Sequence, residues 1–311
     1  MLKENVSLKK YTTFQIGGAA RYFWEAKSVD DLKSAIEWAQ NKGLPFFVLA
    51  GGSNLLAADQ GFDGLAIKTK NEKRKTKNEN AKSRIIHCEA GVKLSDLVKL
   101  SLDEGLSGLE WAAGIPQATV GGAIWGNAGA FGKNIADIVG EVEALQVQSS
   151  KCKVKSYKNE DCKFSYKDSV FKRDRNLIIL AADLILDKKD KAEISQEIKR
   201  VLQYRKDHHP SQPSAGSVFK NIKDEKIILS RPEFAIFQEK KEIPAAWLIE
   251  QAGLKGKTIG HAQISAKHSN FIVNLGQATA SDVKQLISSA KQAVWDKFAI
   301  AIEEEIQYLG F

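Results

Sequence analysis

The chain has 311 residues, with 46 Lys and Arg against 38 Asp and Glu, a formal net charge of +8 and a pI near 9.1. Hydrophobic residues at 43% and charged residues at 27% exclude a disordered or fibrous chain and leave room for two domains, or one large core with subdomains. The positive balance favours anionic partners without choosing among a nucleic-acid polymer, a dinucleotide and a phosphorylated sugar.

No stretch reaches the roughly 20 apolar residues of a membrane span, and the start MLKENVSLKK lacks the apolar run of a secretory signal. A cytoplasmic chain without membrane insertion is the expectation. Cys88, Cys152 and Cys162 are odd in number and form no CxxC pair, so neither a disulfide framework nor a zinc site is indicated. His208 and His209 lack a third ligand pattern, and no metal is expected.

In chain order, Ser28 to Asp31 resembles a capping box, and Leu32, Ile36 and Ala39 follow at helical spacing. Gly43 and Pro45 turn the chain into an apolar strand, Phe46 to Leu49, which ends in Gly51-Gly52-Ser53-Asn54. The polar stretch from Thr69 to Ser83 reads as a solvated loop. It lacks the interleaved aromatics of a nucleic-acid-binding arm, and Glu72 and Glu79 interrupt its charge.

Arg84 to Cys88 reads as a strand, Ser95 as the cap of a helix through Leu102, and Gly105 as its stop. A glycine- and alanine-rich segment runs from Ala112 to Gly132. Val142 to Val147, Cys152 to Tyr157 and Leu177 to Leu186 read as strands of an antiparallel-leaning sheet. A charged helix from about Ala192 to Arg205 leads to a boundary at His208-His209-Pro210. Ala245 to Gln251 reads as a helix closed by Gly253, Phe271 to Val273 as a strand, and Ser281 as the cap of a long helix to Phe298.

Two glycines after a strand allow backbone N–H groups to converge on a pyrophosphate, with Ser53 and Asn54 as added donors. The segment is neither GxGxxG nor a Walker loop, because no GK[ST] follows. Alone it fits a plain turn as well. The second segment, with Gly114, Ile115, Thr119, Gly121, Gly122 and Ala123, offers either close chain packing or room for a flat, bulky group. A dinucleotide between the two glycine loops accounts for both.

The motifs TTFQIGG (12–18), AGGSNLL (50–56), GFDGL (61–65), GLSGLE (105–110), AGIP (113–116), TVGGA (119–123), NAGAF (127–131), YKDS (166–169), PSAGSVFKN (213–221) and KHSNF (267–271) together resemble the UDP-N-acetylenolpyruvoylglucosamine reductase family. The resemblance runs in order from about Val6 to Gly310, and its short KHSNF form is similar to the second, shorter subtype. It implies an α+β fold, with a two-part FAD-binding region of the vanillyl-alcohol-oxidase type and a C-terminal α/β substrate-binding domain. The segments implied are 1–69 and 70–204 for the two FAD-binding subdomains, 205–298 for the substrate domain, and 299–311 for a tail returning to the active site.

The implied cofactors are FAD and NADPH, and the implied partner is UDP-N-acetylglucosamine enolpyruvate, reduced by a monomer that binds no nucleic acid. Cofactor contacts would come from Ala50, Gly51, Gly52, Ser53, Asn54, Gly114, Ile115, Thr119, Gly121, Gly122 and Ala123. Ser217 matches the family's proton donor and Glu305 its C-terminal catalytic glutamate, which must be protonated to donate a hydrogen bond to an enolate. Lys167 stands where the family has arginine, keeping the charge but losing the two-pronged donor geometry. Tyr166, Arg205, Asn221 and His268 match substrate contacts. Gln117-Ala118 departs from a tighter glycine turn, and Ile222 from a proline. Two rivals stay open: an FAD-dependent oxidase of the same fold, which leaves PSAGSVFKN unexplained, and a non-catalytic nucleotide-sugar or nucleic-acid-binding protein.

Overall fold

The computed structural model describes residues 2–70, 72–78, 82–148 and 151–311. The chain divides into two compact units, one of residues 1–6, 20–52 and 63–207, the other of residues 7–19, 53–62 and 208–311.

In the first unit, a four-stranded sheet has the order Leu2–Ser7, Ala19–Ala26, Phe62–Thr69, Phe46–Leu49. The helix Val29–Asn41 packs on it through Leu32, Ala35, Ile36 and Ala39. The Ser28 hydroxyl caps this helix by accepting the Asp31 N–H at 3.1 Å. The expected box is only half closed. The Asp31 carboxylate instead accepts the Lys27 N–H at 2.9 Å and the Trp24 indole N–H at 2.7 Å, tying helix to strand.

The larger sheet runs Lys151–Lys158, Val139–Gln148, Leu177–Lys188, Ser83–Glu89, Arg74–Asn78, with Leu106–Ser107 added against Leu177–Lys188. Its pairings are antiparallel. Val142, Ala144, Ala182 and Leu184 bury into one core, and Leu145, Val147, Ile178 and Leu180 into another. Burial on both faces explains the unbroken apolar run from Leu177 to Ala182.

The lysine-rich stretch is not simply a loop. Arg74–Asn78 pairs with Ser83–Glu89 in the register Arg74↔Cys88 to Asn78↔Arg84. Its neighbour supplies the ladder, so few apolar residues are needed. Charged side chains on such an edge discourage pairing with another chain, and Lys153, Lys155 and Lys158 mark the opposite edge in the same way. Asn71, Glu79, Asn80 and Ala81, part of the same stretch, lie outside the described residues. The helix Leu94–Glu104 begins one residue before Ser95, with Lys93 at its N-cap, and Gly105 ends it at φ +68°. Ser95 is therefore inside the first turn and does not cap.

The second unit carries an antiparallel sheet in the order Ser214–Ser217, Phe271–Asn274, Ala262–Ile264, Thr258–Ile259. The helices Ala245–Gln251 and Ala280–Phe298 contribute Leu248, Ile249, Val283, Leu286 and Ile287 to its core, together with Phe14, Ile16 and Leu56. Thr279, not Ser281, caps the long helix. It forms a reciprocal box with Asp282, and the Asp59 carboxylate accepts the Ala280 and Ser281 N–H groups at 2.8 and 3.0 Å. No helix among the described residues is long and apolar enough to cross a membrane.

Asn274 joins the N-terminal segment to this sheet. It is buried, donates to the Phe14 carbonyl at 3.1 Å, and accepts the Gly276 and Ala278 N–H groups at 2.7 and 3.0 Å. Asn274→Ala leaves these backbone groups without their partner and is expected to lower stability by about 3 kcal/mol. Denaturant unfolding measures this, and a loss below about 1 kcal/mol would mean the segment is held by its apolar contacts alone.

Candidate active site

In the first unit, the parallel strands Phe46–Leu49 and Phe62–Thr69 pair as Leu49↔Lys68 and deliver Ala50-Gly51-Gly52 at their end. A methyl group built on Gly51 would lie 1.7 Å from the Gln117 carbonyl oxygen, so only glycine fits there. The second glycine segment is laced to residues 90–94. Gly121 N–H donates to Ala90, Val120 N–H to Val92 and Leu94 N–H to Ala118, each at 2.9 Å. Thr119 caps the short helix Val120–Trp125 by accepting the Gly122 N–H. A side chain at Gly121 would meet Ala90 at 2.8 Å, and one at Gly122 would meet Ala50 at 3.3 Å.

The two glycine segments therefore touch, and Ala50, Gly51, Gly121, Gly122 and Ala123 present almost no side chain between them. The glycine content serves chain packing, and Ala50, Gly121 and Gly122 stay partly exposed as a side-chain-poor face. Gly114, at φ +76°, lies beside Arg205, whose Cδ would be 3.1 Å from an added methyl. The Arg205 guanidinium donates to the Trp111 carbonyl at 3.0 Å and stacks over the Phe131 ring at 5.4 Å. Its Nε is buried without a hydrogen-bond partner among the described residues, and burial lowers its pKa from the ordinary arginine value. This side-chain-poor face and the unmatched donor both fit a flat, anionic dinucleotide such as FAD. Ile115 packs against the main core of this unit.

Lys167 occupies a left-handed position, φ +58°, in a tight turn closed by reciprocal Ser165–Asp168 bonds at 3.1 and 3.2 Å. Its carbonyl accepts from Lys172 Nζ at 2.7 Å. The turn is fastened to the glycine segment: the Ser169 hydroxyl donates to Trp125 O at 2.7 Å and the Asn127 amide to Ser165 O at 2.8 Å. Tyr166, at the turn's exposed side, is 36% exposed.

In the second unit, Ser217 ends the strand Ser214–Ser217, after Gly216 at φ +77°, and sits opposite Phe271. The C-terminal tail comes back alongside it. Lys220 N–H donates to Glu303 O at 2.8 Å, and Glu305 N–H donates to Val218 O at 2.7 Å. Asn54 secures the same point, its amide donating to Glu305 O at 3.1 Å and its carbonyl accepting the Gln307 N–H at 2.9 Å. Beyond it, Gln307–Leu309 pairs in parallel with Leu55–Ala57. Ser217 and Glu305 thus lie on adjoining backbone strands. Asn54 thus holds the tail, and Ser53 is half-buried in the turn before it.

The three glutamates have different surroundings. Glu303 pairs with Lys220 at 3.0 Å, and Glu304 binds Lys291 and the Tyr308 hydroxyl. Burial first, and Glu304 second, raise the Tyr308 pKa. Glu305 is half-buried beside Val218. Asn221 is also engaged locally: its amide donates to Glu242 at 2.6 Å and its carbonyl accepts the Ala245 N–H at 3.0 Å, at the start of the helix Ala245–Gln251.

His268 packs edge-on against Phe271 at 4.8 Å and His209 at 5.6 Å. Its Nδ1 accepts the Asn270 N–H at 3.3 Å, which places a proton of the neutral ring on Nε2. Burial lowers its pKa, and His208 works in the same direction. His209, read from sequence as a boundary residue, belongs to this aromatic group as well.

Sequence reasoning passed over Asn270 and Lys68. Asn270 grips Phe219 at both main-chain atoms, donating at 2.8 Å and accepting at 2.9 Å, and so fixes the strand that follows Ser217. The motif KHSNF contained it, but nothing marked the asparagine. Lys68 donates to the Ala50 carbonyl at 2.5 Å, and burial lowers its pKa to about 8. Its signal was a lysine closing the apolar run Leu65-Ala66-Ile67.

Two family models match the chain: an FAD binding domain over residues 20–152 and the C-terminal domain of UDP-N-acetylenolpyruvoylglucosamine reductase over residues 208–309. The UDP-N-acetylenolpyruvoylglucosamine reductase of Synechococcus sp. (strain JA-3-3Ab) is 36% identical, over 99% of this chain and 91% of that one. That of Carboxydothermus hydrogenoformans is 38% identical, over 99% and 93%. The crystal structure of the Thermus caldophilus enzyme superposes with a TM-score of 0.79 at 33% identity, covering 99% of this chain and all of that one. Fold and matches define an FAD-containing oxidoreductase. More narrowly, the chain belongs to the UDP-N-acetylenolpyruvoylglucosamine reductase family.

Two predictions concern this geometry. Because His268 favours its neutral form when folded, the unfolded chain takes up a proton first as pH falls through about 6.5, and stability drops with it. The loss is complete once pH passes below the folded value. Thermal unfolding from pH 7 to 5 should show a steeper fall for the wild type than for His268→Gln; equal slopes would assign the effect elsewhere. Gln117, at φ +52°, pays for a left-handed backbone that glycine adopts freely. Gln117→Gly should raise stability by about 1 kcal/mol, less the added entropy of the unfolded chain, in denaturant titrations.

Proposed function

We propose that the chain reduces UDP-N-acetylglucosamine enolpyruvate to UDP-N-acetylmuramate, with NADPH as electron donor, acting as a cytoplasmic monomer. The observation that carries this reading is the returning tail, which sets Glu305 beside the strand of Ser217 through the Glu305–Val218 bond at 2.7 Å.

Residues 50–52 and 119–123 would hold FAD, with Gly114 and Ile115 at the edge of that cradle. When bound, FAD supplies a two-electron carrier between NADPH and substrate. Reduction of the enolpyruvyl double bond adds a hydride equivalent at the methylene carbon and a proton at the neighbouring carbon. That neighbouring carbon gains carbanion character, shared with the carboxylate as an enolate. Ser217 delivers the proton from its hydroxyl and recovers one from water, which leaves the lactyl ether.

Lys167 would favour the enolate-like carboxylate by its positive charge, and Glu305 would assist the proton delivery of Ser217. Tyr166 and His268 would contact substrate, His268 as a neutral donor through Nε2. Asn221 would act through the group it already holds, fixing the Ala245 end of its helix, and Arg205 would offer its unmatched Nε, beside Gly114, to an anionic ligand.

Anaerobic stopped-flow spectroscopy separates the two halves of the reaction. Ser217→Ala should be reduced by NADPH at the wild-type rate, while its reoxidation by the enolpyruvyl sugar slows by about 100-fold or more. Wild-type reoxidation in that variant would remove Ser217 as the proton donor. Reduction by NADPH with no reoxidation by this sugar, in the wild type, would remove the substrate while leaving a flavoprotein. Lys167→Arg should keep the same reaction with turnover equal or higher; a drop would show that this turn is fitted to lysine.

A further inference from the structure

We propose that Lys68 is a positioning residue for the cofactor: its ammonium pins the Ala50 carbonyl so that the Gly51 N–H is presented to the pyrophosphate of a dinucleotide. The proposal rests on the reading of residues 50–52 as part of a cofactor loop and adds the side chain that sets its orientation.

The C=O of Ala50 and the N–H of Gly51 belong to one planar unit and point in opposite directions. Lys68 Nζ lies 2.5 Å from the Ala50 oxygen, so the C=O is drawn towards the strand Phe62–Thr69 and the Gly51 N–H is turned to the other side. The anchor is rigid because Leu49 and Lys68 are register partners in the parallel ladder, one residue before the loop. Gly51 cannot pivot freely either, since the Gln117 carbonyl occupies the space of a side chain there.

A charged donor on the carbonyl also polarises the peptide and strengthens its N–H as a donor. Within an otherwise apolar strand end, Leu65, Ala66 and Ile67 being fully buried, a lysine carries a desolvation penalty that burial of an apolar residue would avoid. The charged groups acting on its amine are Glu72, Lys70, Lys93 and Glu25. Burial brings the amine to about 8, so its charge is present at pH 7 and fades above pH 8. An anion bound nearby would retain it.

The test uses the full chain freed of flavin and titrated with FAD, reading flavin fluorescence. Lys68→Met should weaken FAD binding by about tenfold or more at pH 7, and Lys68→Arg should restore most of it. Wild-type affinity should fall as pH rises from 7 to 9, whereas Lys68→Arg stays level. Should Lys68→Met fail to fold, the pH profiles of wild type and Lys68→Arg decide by themselves. Parallel profiles, or unchanged affinity in a folded Lys68→Met, overturn the proposal. Backbone hydrogen exchange at Gly51 and Gly52 keeps it apart from the loop reading. FAD that slows exchange there while Lys68 proves indifferent overturns only the role of the lysine. FAD that leaves exchange unchanged overturns the loop itself.

Discussion

No side chain fits at residue 51, because the Gln117 carbonyl oxygen fills that place. This one close approach brings two glycine segments, 66 positions apart in sequence, into backbone contact. The close packing of the first unit's glycine segments follows from it. The chain can come so near only where Cβ atoms are missing.

The same economy appears in the second unit, with different chemistry. Its tail is held by main-chain bonds to Val218 and Asn54, by the parallel ladder to Leu55–Ala57 and by the Lys291–Glu304–Tyr308 group. Alternation along an extended chain separates Glu304 from its two neighbours, so three identical side chains acquire distinct partners. Glu303 is paired at the surface, Glu304 serves as a clasp, and Glu305 is set beside the strand of Ser217.

The departures from the family pattern are absorbed locally. Gln117 accepts a left-handed backbone where glycine would be at ease, and its carbonyl still meets Gly51. Lys167 takes a similar backbone in a turn fixed at both ends by Asn127 and Ser169. In each case the neighbouring hydrogen bonds impose the backbone and the side chain conforms to it.

The sequence by itself determined the local elements whose signal is periodic or terminal: the helix Val29–Asn41 with its Ser28 cap, the strand Phe46–Leu49, the Gly105 stop, the helix Ala245–Gln251. It determined the family too, since ten ordered motifs are far more specific than one. It failed for Arg74–Asn78, whose strand exists because Ser83–Glu89 offers a ladder, and for the caps at Ser95 and Ser281, where a neighbouring residue took the role. Only the tertiary structure decided that Asn54 holds the tail, that Asn221 braces a helix, that His209 joins His268, and that Lys68 lies beneath the glycine loop. Hydrogen bonding reaches across any separation in sequence, and a side chain's partner is set by where the backbone returns, which no local pattern records.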